Sequence, residues 1–283
     1  MAKLGLVVEG GGMRGIYSCG ALDFFLEENI QFDYCVAVSA GSANVATFLA
    51  RQKKRTYRFY TVHTQDKRYM SFRNMLKTGS FFGLEFIYDT LTNEIDPIDY
   101  DVLLEAASQF HVVATEAESG QAHYFGNADF KRNDCRVLMA SCAVPAMCKP
   151  VNVYGKVYYD GGIADPIPVK KALVDGCDRV VVVLSKPRGF VKQPERLRMA
   201  YSWMLRRYPN TVHALNNRHI IYNESLEFLK ELEEEGRAVV IAPSAEVEVG
   251  MTSKDLNALD RLYALGLDDA AAVMGQKRSV FSV

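Results

Sequence analysis

The stretch Leu4-Gly5-Leu6-Val7-Val8-Glu9-Gly10-Gly11-Gly12-Met13-Arg14-Gly15 decides the architecture. The apolar run Leu4 to Val8 is too short for a helix and reads as a buried strand, and the glycines after it read as a turn. Ile16, Cys19, Leu22, Phe25 and Leu26 then fall on one face of a helix. The chain therefore opens strand, glycine turn, helix. The same rhythm continues outward. Tyr34 to Val38 is the next expected strand and Ser42 to Arg51 the next helix. Further strands are expected at Phe110 to Thr115, Val157 to Tyr159, Val180 to Leu184 and Val239 to Ala242, and a last helix from Ser253 to Met274. The valines from 180 suit a parallel strand covered on both faces. Strands alternating with helices imply an α/β chain: three layers, α/β/α, around a mostly parallel central sheet.

Bulk properties narrow the function. The 283 residues suffice for one large domain, and residues 1–283 are read as a single unit. A net charge of −1 gives no global pull toward nucleic acid, which is not an expected partner. Between Lys3 and Glu9 only five apolar residues stand, too few for a secretory signal. The uncharged run Val36 to Ala50 contains Ser39, Ser42, Asn44 and Thr47 and falls short of a membrane span. A cytoplasmic protein is expected. None of the six cysteines forms a C-x-x-C pair, so buried reduced thiols are expected. The five histidines make no H-E-x-x-H pattern and no calcium loop is visible, so no metal or other cofactor is expected. Nothing in the sequence sets an oligomeric state.

Three short segments carry chemistry. In Gly10-Gly11-Gly12-Met13-Arg14-Gly15 the glycines let the backbone turn sharply with its N–H groups exposed at a helix N-terminus. Arg14 adds positive charge. The loop suits an oxyanion hole, a phosphate site or a plain turn. Gly10-x-Gly12-x-x-Gly15 also fits the dinucleotide fingerprint, but that expects an acidic residue at the end of the second strand, where Val38-Ser39 stands. Ala37-Val38-Ser39-Ala40-Gly41 lies between strand and helix, where a nucleophile elbow needs small residues two before and two after the serine. Gly41 satisfies one side and Ala37 replaces glycine on the other. Ser39 is otherwise a helix cap. Asp160-Gly161-Gly162 ends a strand and suits either a general base or an Asp-Gly turn. Asp165, before Pro166, reads as a turn residue.

Taken in order, these segments resemble the patatin-like phospholipase family. That family shows a Gly-Gly-Gly-x-Arg/Lys-Gly loop, a Gly-x-Ser-x-Gly elbow and an Asp-Gly-Gly/Ala turn, and Ala140-Ser141-Cys142-Ala143-Val144-Pro145 is a fourth similar block. The resemblance covers about Lys3 to Val169, and its departure is Ala37. It implies a patatin-like fold and a hydrolase of lipid acyl esters, phospholipid or lysophospholipid. Ser39 would be the nucleophile and Asp160 its base, with no histidine between them. The N–H groups around Gly11, Gly12 and Met13 would hold the oxyanion. The alternative is a patatin-fold binding or regulatory protein whose elbow Ala37 has impaired. A Ser, Asp, His order is available through His213 and His219, but only one strand precedes Ser39, whereas α/β-hydrolases place several there.

Residues 51–100 form an expected cap or lid. Within it, Arg51 to Lys77 holds nine Lys/Arg against Asp66, interleaved with aromatics. That composition suits contact with anionic lipid headgroups at a membrane surface, or a solvated cap with its aromatics packed inward. Tyr57, Phe59, Tyr60, Phe81, Phe82, Phe86 and Ile87 are candidates to line an acyl channel. A second basic stretch runs from Lys186 to Arg207, against Glu195.

Overall fold

The structure is a computed structural model that describes residues 2–195 and 198–276; Arg196 of the second basic stretch lies outside them. Its sheet has eight strands: β1 Leu4–Val8, β2 Tyr34–Val38, β3 Gln109–Glu116, β4 Ala122–Phe125, β5 Val151–Val153, β6 Lys156–Asp160, β7 Arg179–Val183 and β8 Ala238–Ile241. Parallel pairing runs β3-β2-β1-β7-β8, and β4, β6 and β5 add antiparallel pairings at the β3 end. The valine run of β7 is buried between two parallel neighbours, as its composition requires.

One feature of the register brings distant sequence together. β4 pairs with Val112 to Thr115, and β6 pairs with Ala114 to Glu116, so the two flank opposite edges of β3. β2 also overlaps β4 along β3, over Val112 and Val113. Hence β2 and β6 lie on the same edge of β3, end to end. Val38 faces Val113 and Asp160 faces Ala114, consecutive residues of β3. The residue after Val38 must therefore meet the last residue of β6.

The described α-helices are α1 Ile16–Glu27, α2 Ala40–Leu49, α3 Arg55–Thr61, α4 Phe72–Thr78, α5 Tyr100–Leu104, α6 Arg136–Ser141, α7 Val169–Val174, α8 Arg198–Met204, α9 Pro209–Glu234 and α10 Leu256–Gln276. Alternation along the strands separates two apolar layers. Leu6, Val8, Cys35, Ala37 and Val112 pack with α1, α2 and α10. Val7, Val36, Val38, Val113, Val180 and Val182 pack with α7 and α9. This is the three-layer α/β/α arrangement. The segment expected as a cap is helical: α3, α4 and a π-helix over Phe86–Ile95. Its aromatics turn inward at Phe59, Tyr60 and Tyr69, while Phe72 is exposed. Several of its cations are paired internally, Arg55 and Arg58 with Asp96 and Arg68 with Asp66. All six cysteines are buried with free thiols. Strands β4 and β5 and the long helix α9 had no counterpart among the sequence expectations.

Candidate functional site

Ser39 occupies the turn from β2 into α2 with φ 53° and ψ −129°. A residue with a Cβ is strained there, by about 1–3 kcal/mol. The surroundings hold it. Its N–H donates to Ser141 Oγ at 2.8 Å, and Ser141 Oγ donates to the Val113 carbonyl at 2.7 Å. Ser42 returns both its N–H, at 2.9 Å, and its Oγ, at 2.6 Å, to the Ser39 carbonyl. The turn also presses on the first glycine loop. A Cβ at Gly41 would stand 2.6 Å from the Glu9 carbonyl oxygen, and one at Gly10 would stand 2.9 Å from Ser39 Cβ. Neither position has room for a larger residue.

Ser39 Oγ donates to Asp160 Oδ2 at 2.6 Å, and both side chains are buried. The second carboxylate oxygen, Oδ1, accepts from the Gly162 N–H at 2.8 Å. The Asp160 backbone is fixed by its N–H on the Ala143 carbonyl and by Thr115 Oγ1 on its own carbonyl, each at 2.9 Å. Burial pushes the Asp160 carboxyl above the usual carboxylate range; the Ser39 hydrogen bond, the field of Arg218 and the Gly162 N–H pull it part of the way back. The Cys142 thiol is adjacent and takes a contact from Tyr88 Oη at 2.9 Å. Burial and the field of Asp160 push it up to about 12, so it stays protonated at neutral pH and does not compete as a nucleophile.

The glycine loop lies on the other side of Ser39. Gly12 has φ +57°, and a Cβ there would meet Met251 Cγ at 2.6 Å. The Met13 N–H donates to the Met251 carbonyl at 3.2 Å. Among the described residues nothing accepts from the N–H groups of Gly10, Gly11 or Gly12. The Gly15 carbonyl accepts from Ser18 Oγ and Asn44 Nδ2, which ties the loop to α1 and α2. Arg14 is mostly buried, with its Nε lacking a partner.

A cavity of about 80 Å³ opens beside Ser39, walled by Ala43, Phe59, Tyr60, Phe82, Ile87 and Leu138 among others. Tyr57, Phe81 and Phe86, expected in the same channel, stand elsewhere. Tyr57 bonds Asp260 and packs on Tyr263, Phe81 packs between Phe72 and Phe82, and Phe86 lies under the Arg68 guanidinium. The histidines bond or stack away from the dyad: His213 with Asn217, His63 with Asp96, His111 on Tyr34 and His123 on Phe125. His219 lies in α9 with a buried Nδ1 that has no partner.

Other residues of the site escaped the sequence reading. Glu9 is buried and accepts from the Ser185 N–H at 2.6 Å and Tyr222 Oη at 3.0 Å; burial raises its pKa. It joins the ends of β1 and β7 to α9. Asp165 is more than a turn residue: it accepts from Tyr124 Oη at 2.7 Å, and burial pushes its carboxyl up to about 6. The Ala140–Pro145 block had carried a resemblance without a role; it contains Ser141 and Ala143, which brace both members of the dyad. Among the described residues no group of His, Cys, Asp and Glu is arranged to hold a metal ion.

Residues 6–173 match the family model described as "Patatin-like phospholipase", and residues 208–280 match a domain of unknown function, DUF6363. The chain is 28% identical over 207 residues to the uncharacterized protein YjjU of Escherichia coli K12. That match covers 71% of this chain and 57% of YjjU, so the chain spans less than two thirds of that relative. Among solved structures, VipD from Legionella pneumophila aligns with a TM-score of 0.49 and 14% identity, over 97% of this chain and 67% of that one.

Proposed function

The chain belongs to the patatin-like phospholipase family, and from that premise we propose that it is a serine acyl-hydrolase of lipid esters in which Ser39 and Asp160 act as a dyad. The hydrogen bond of 2.6 Å from Ser39 Oγ to Asp160 Oδ2 is the observation that carries the reading. The chemistry follows from that contact. Ser39 Oγ attacks the ester carbonyl while its proton passes to Asp160 Oδ2. The unpartnered N–H groups of Gly11 and Gly12 receive the oxyanion; a donor of this kind is worth roughly 100- to 1,000-fold in rate. As the tetrahedral intermediate collapses, Asp160 returns the proton to the leaving alcohol and an acyl-enzyme remains. A water then gives its proton to Asp160 and attacks the acyl carbonyl. When that second intermediate collapses, the proton returns to Ser39 and the free acid leaves. Burial supports this role, because a carboxyl with a raised pKa is a stronger base.

The apolar cavity supports a lipid acyl chain as the group bound next to Ser39. A surface contact with membrane is part of the same proposal. On α4, Phe72 and Leu76 are 79% and 89% exposed beside Arg73 and Lys77, the pairing of apolar and cationic side chains that suits an anionic bilayer. No helix among the described residues is long and apolar enough to cross a membrane. A cytoplasmic enzyme meeting lipid at a surface fits buried free thiols.

A fluorophosphonate probe followed by peptide mass spectrometry tests the dyad. Label on Ser39, lost in Ser39→Ala and slowed at least 100-fold in Asp160→Asn, is expected, with p-nitrophenyl ester turnover falling in parallel. Turnover that survives in Ser39→Ala, in a chain that still folds, refutes the assignment. Wild-type protein that takes no label favours the impaired binding protein, a reading that rests on Ala37 alone.

A further inference from the structure

Arg14, Lys186, Lys192 and Arg218 are not among the residues that line the acyl cavity. Arg14 makes no side-chain hydrogen bond or ion pair among the described residues, although its guanidinium is mostly buried. Ser185, 6% exposed, keeps its hydroxyl buried beside the Glu9 carboxylate, without a hydrogen bond of good geometry. The two converge on the glycine loop, since a Cβ at Gly11 would stand 3.0 Å from Ser185 Oγ and 3.3 Å from Arg14 Cβ. Arg218 donates from Nε to the Gly162 carbonyl, and its Nη2 would lie 3.3 Å from a Cβ at Gly162, next to Asp160. Lys192 and Arg218 both reach Glu195, at 3.2 Å and 3.3 Å. Lys186 lies over the Phe190 ring, 5.0 Å from its centre, with no ion pair among the described residues.

Like charges here press on one another. Burial works against the charge on each; for Arg14 the favourable field of Glu9 exceeds the opposing field of Arg218, whereas Arg14 opposes the charge on Lys186 and Arg218 that on Lys192. The carboxylates around them are Asp160, which holds Ser39 Oγ, and Glu9, Glu195 and Glu246. Glu9 already receives Ser185 and Tyr222, Glu195 is shared by two cations, and Glu246 is exposed. Cations gathered at the glycine loop and Gly162, with the Arg14 Nε buried and lacking an acceptor, suit an anion.

We propose that Arg14, Ser185, Lys186, Lys192 and Arg218 form an anion subsite that takes the phosphate of a phosphoester-bearing lipid whose acyl carbonyl lies at Ser39. The inference rests on the hydrolase reading and adds the headgroup to it. Two guanidinium groups favour phosphate, whose oxygens match their fork of donors. The geometry also gives work to sequence beyond the patatin-like match. Lys186 and Lys192 follow residue 173, and Arg218 lies in the segment 208–280 of unknown function. That segment thereby supplies one wall of the binding site.

The intact chain tests this with two esters of one acyl chain, oleoyl lysophosphatidylglycerol and monooleoylglycerol. At least a tenfold preference in kcat/KM for the phosphate-bearing ester is expected. Lys192→Gln should cut that preference fivefold or more through KM, and Lys192→Arg should restore most of it. A wild type without preference, or a preference that Lys192→Gln leaves whole, overturns the subsite. If inorganic phosphate competes as well as glycerol 3-phosphate and no ester preference exists, the ligand is free phosphate and the lipid assignment falls. If neither ester is turned over, the hydrolase reading fails instead. Calorimetry of the Ser39→Ala chain with glycerol 3-phosphate then decides the subsite alone: binding that Lys192→Gln removes supports it, and no binding overturns it.

Discussion

Asp160 sets two properties against each other. Its carboxyl is buried, and burial raises its pKa above the unfolded value of about 4. For a group raised in this way, the stabilising contribution is that of the protonated form. It is fully present below the unfolded pKa and is lost as pH climbs through the folded one. The proposed chemistry needs the opposite form, because only the ionised carboxylate can take the Ser39 proton. Ester turnover should therefore rise over the same pH window in which Asp160 ceases to stabilise the fold. Asp160→Asn keeps a neutral, hydrogen-bonding side chain of the same shape. Its melting temperature should match the wild type near pH 4 and exceed it increasingly toward pH 8, with turnover abolished throughout. Thermal melts across that range check this, and a variant that melts lower at pH 8 would show that the charge is well solvated where it stands. The sequence disclosed Ser39, Asp160 and the glycine loop because small residues flank each of them at fixed spacing. It did not disclose Ser141, Glu9, Ser185 or Arg218. Each works through contacts with residues tens to hundreds of positions away, such as the 102 positions between Ser141 and Ser39, and nothing local marks such a partner.

Among the elements, α2 does most to connect chemistry with substrate. It starts at the strained serine, and its residue Ala43 walls the cavity beside Ser39. A benzyl group at Ala43 would take up part of that cavity. Ala43→Phe should keep turnover of p-nitrophenyl acetate within about threefold while cutting the octanoate-to-acetate ratio at least tenfold. An unchanged ratio would mean that the acyl chain leaves Ser39 in another direction. The cap element α4 carries the membrane expectation. Replacing Phe72 and Leu76 by serine should lower retention on phosphatidylglycerol vesicles at low salt several-fold, and equal retention on phosphatidylcholine would remove the electrostatic half of that reading. Legibility at this scale followed length and periodicity. β1, β2, β3, β7 and β8 were legible as apolar runs, and β6 as the run ending at Asp160. The strands β4 and β5, of four and three residues, are too short for alternation to register. The helix α9 was hidden by its polarity: its buried residues Thr211, Leu215, Tyr222, Ser225, Leu229 and Leu232 keep helical spacing, but half of them carry hydroxyls.

Across the whole molecule, the C-terminal segment belongs to the same core as the site. α10 lies against α1 with backbones nearly touching. A Cβ at Gly20 would stand 2.2 Å from the Tyr263 carbonyl oxygen, and one at Gly266 would stand 2.1 Å from the Tyr17 carbonyl oxygen. Hydrogen bonds bolt the crossing on both sides, Tyr17 Oη to Asp269 at 2.9 Å and Tyr263 Oη to Asp23 at 2.8 Å. α1 begins where the glycine loop ends, and Met251, just before α10, backs that loop at Gly12 and Met13. Moving α10 therefore moves the amides proposed to hold the oxyanion. On this argument residues 2–276 are proposed to unfold as one unit, with the 208–280 segment inseparable from the patatin-like part. Gly266→Val is the direct test, since its side chain has no space against Tyr17. It should lower the melting temperature by several degrees in a single calorimetric transition, and at temperatures below melting it should slow fluorophosphonate labelling of Ser39. Gly275→Val, where a Cβ meets nothing within 4 Å, is the control on the same helix and should change neither. Two separate transitions, or a Gly266→Val chain that labels at the wild-type rate despite a lowered melting temperature, would show that α10 props the fold without reaching the loop.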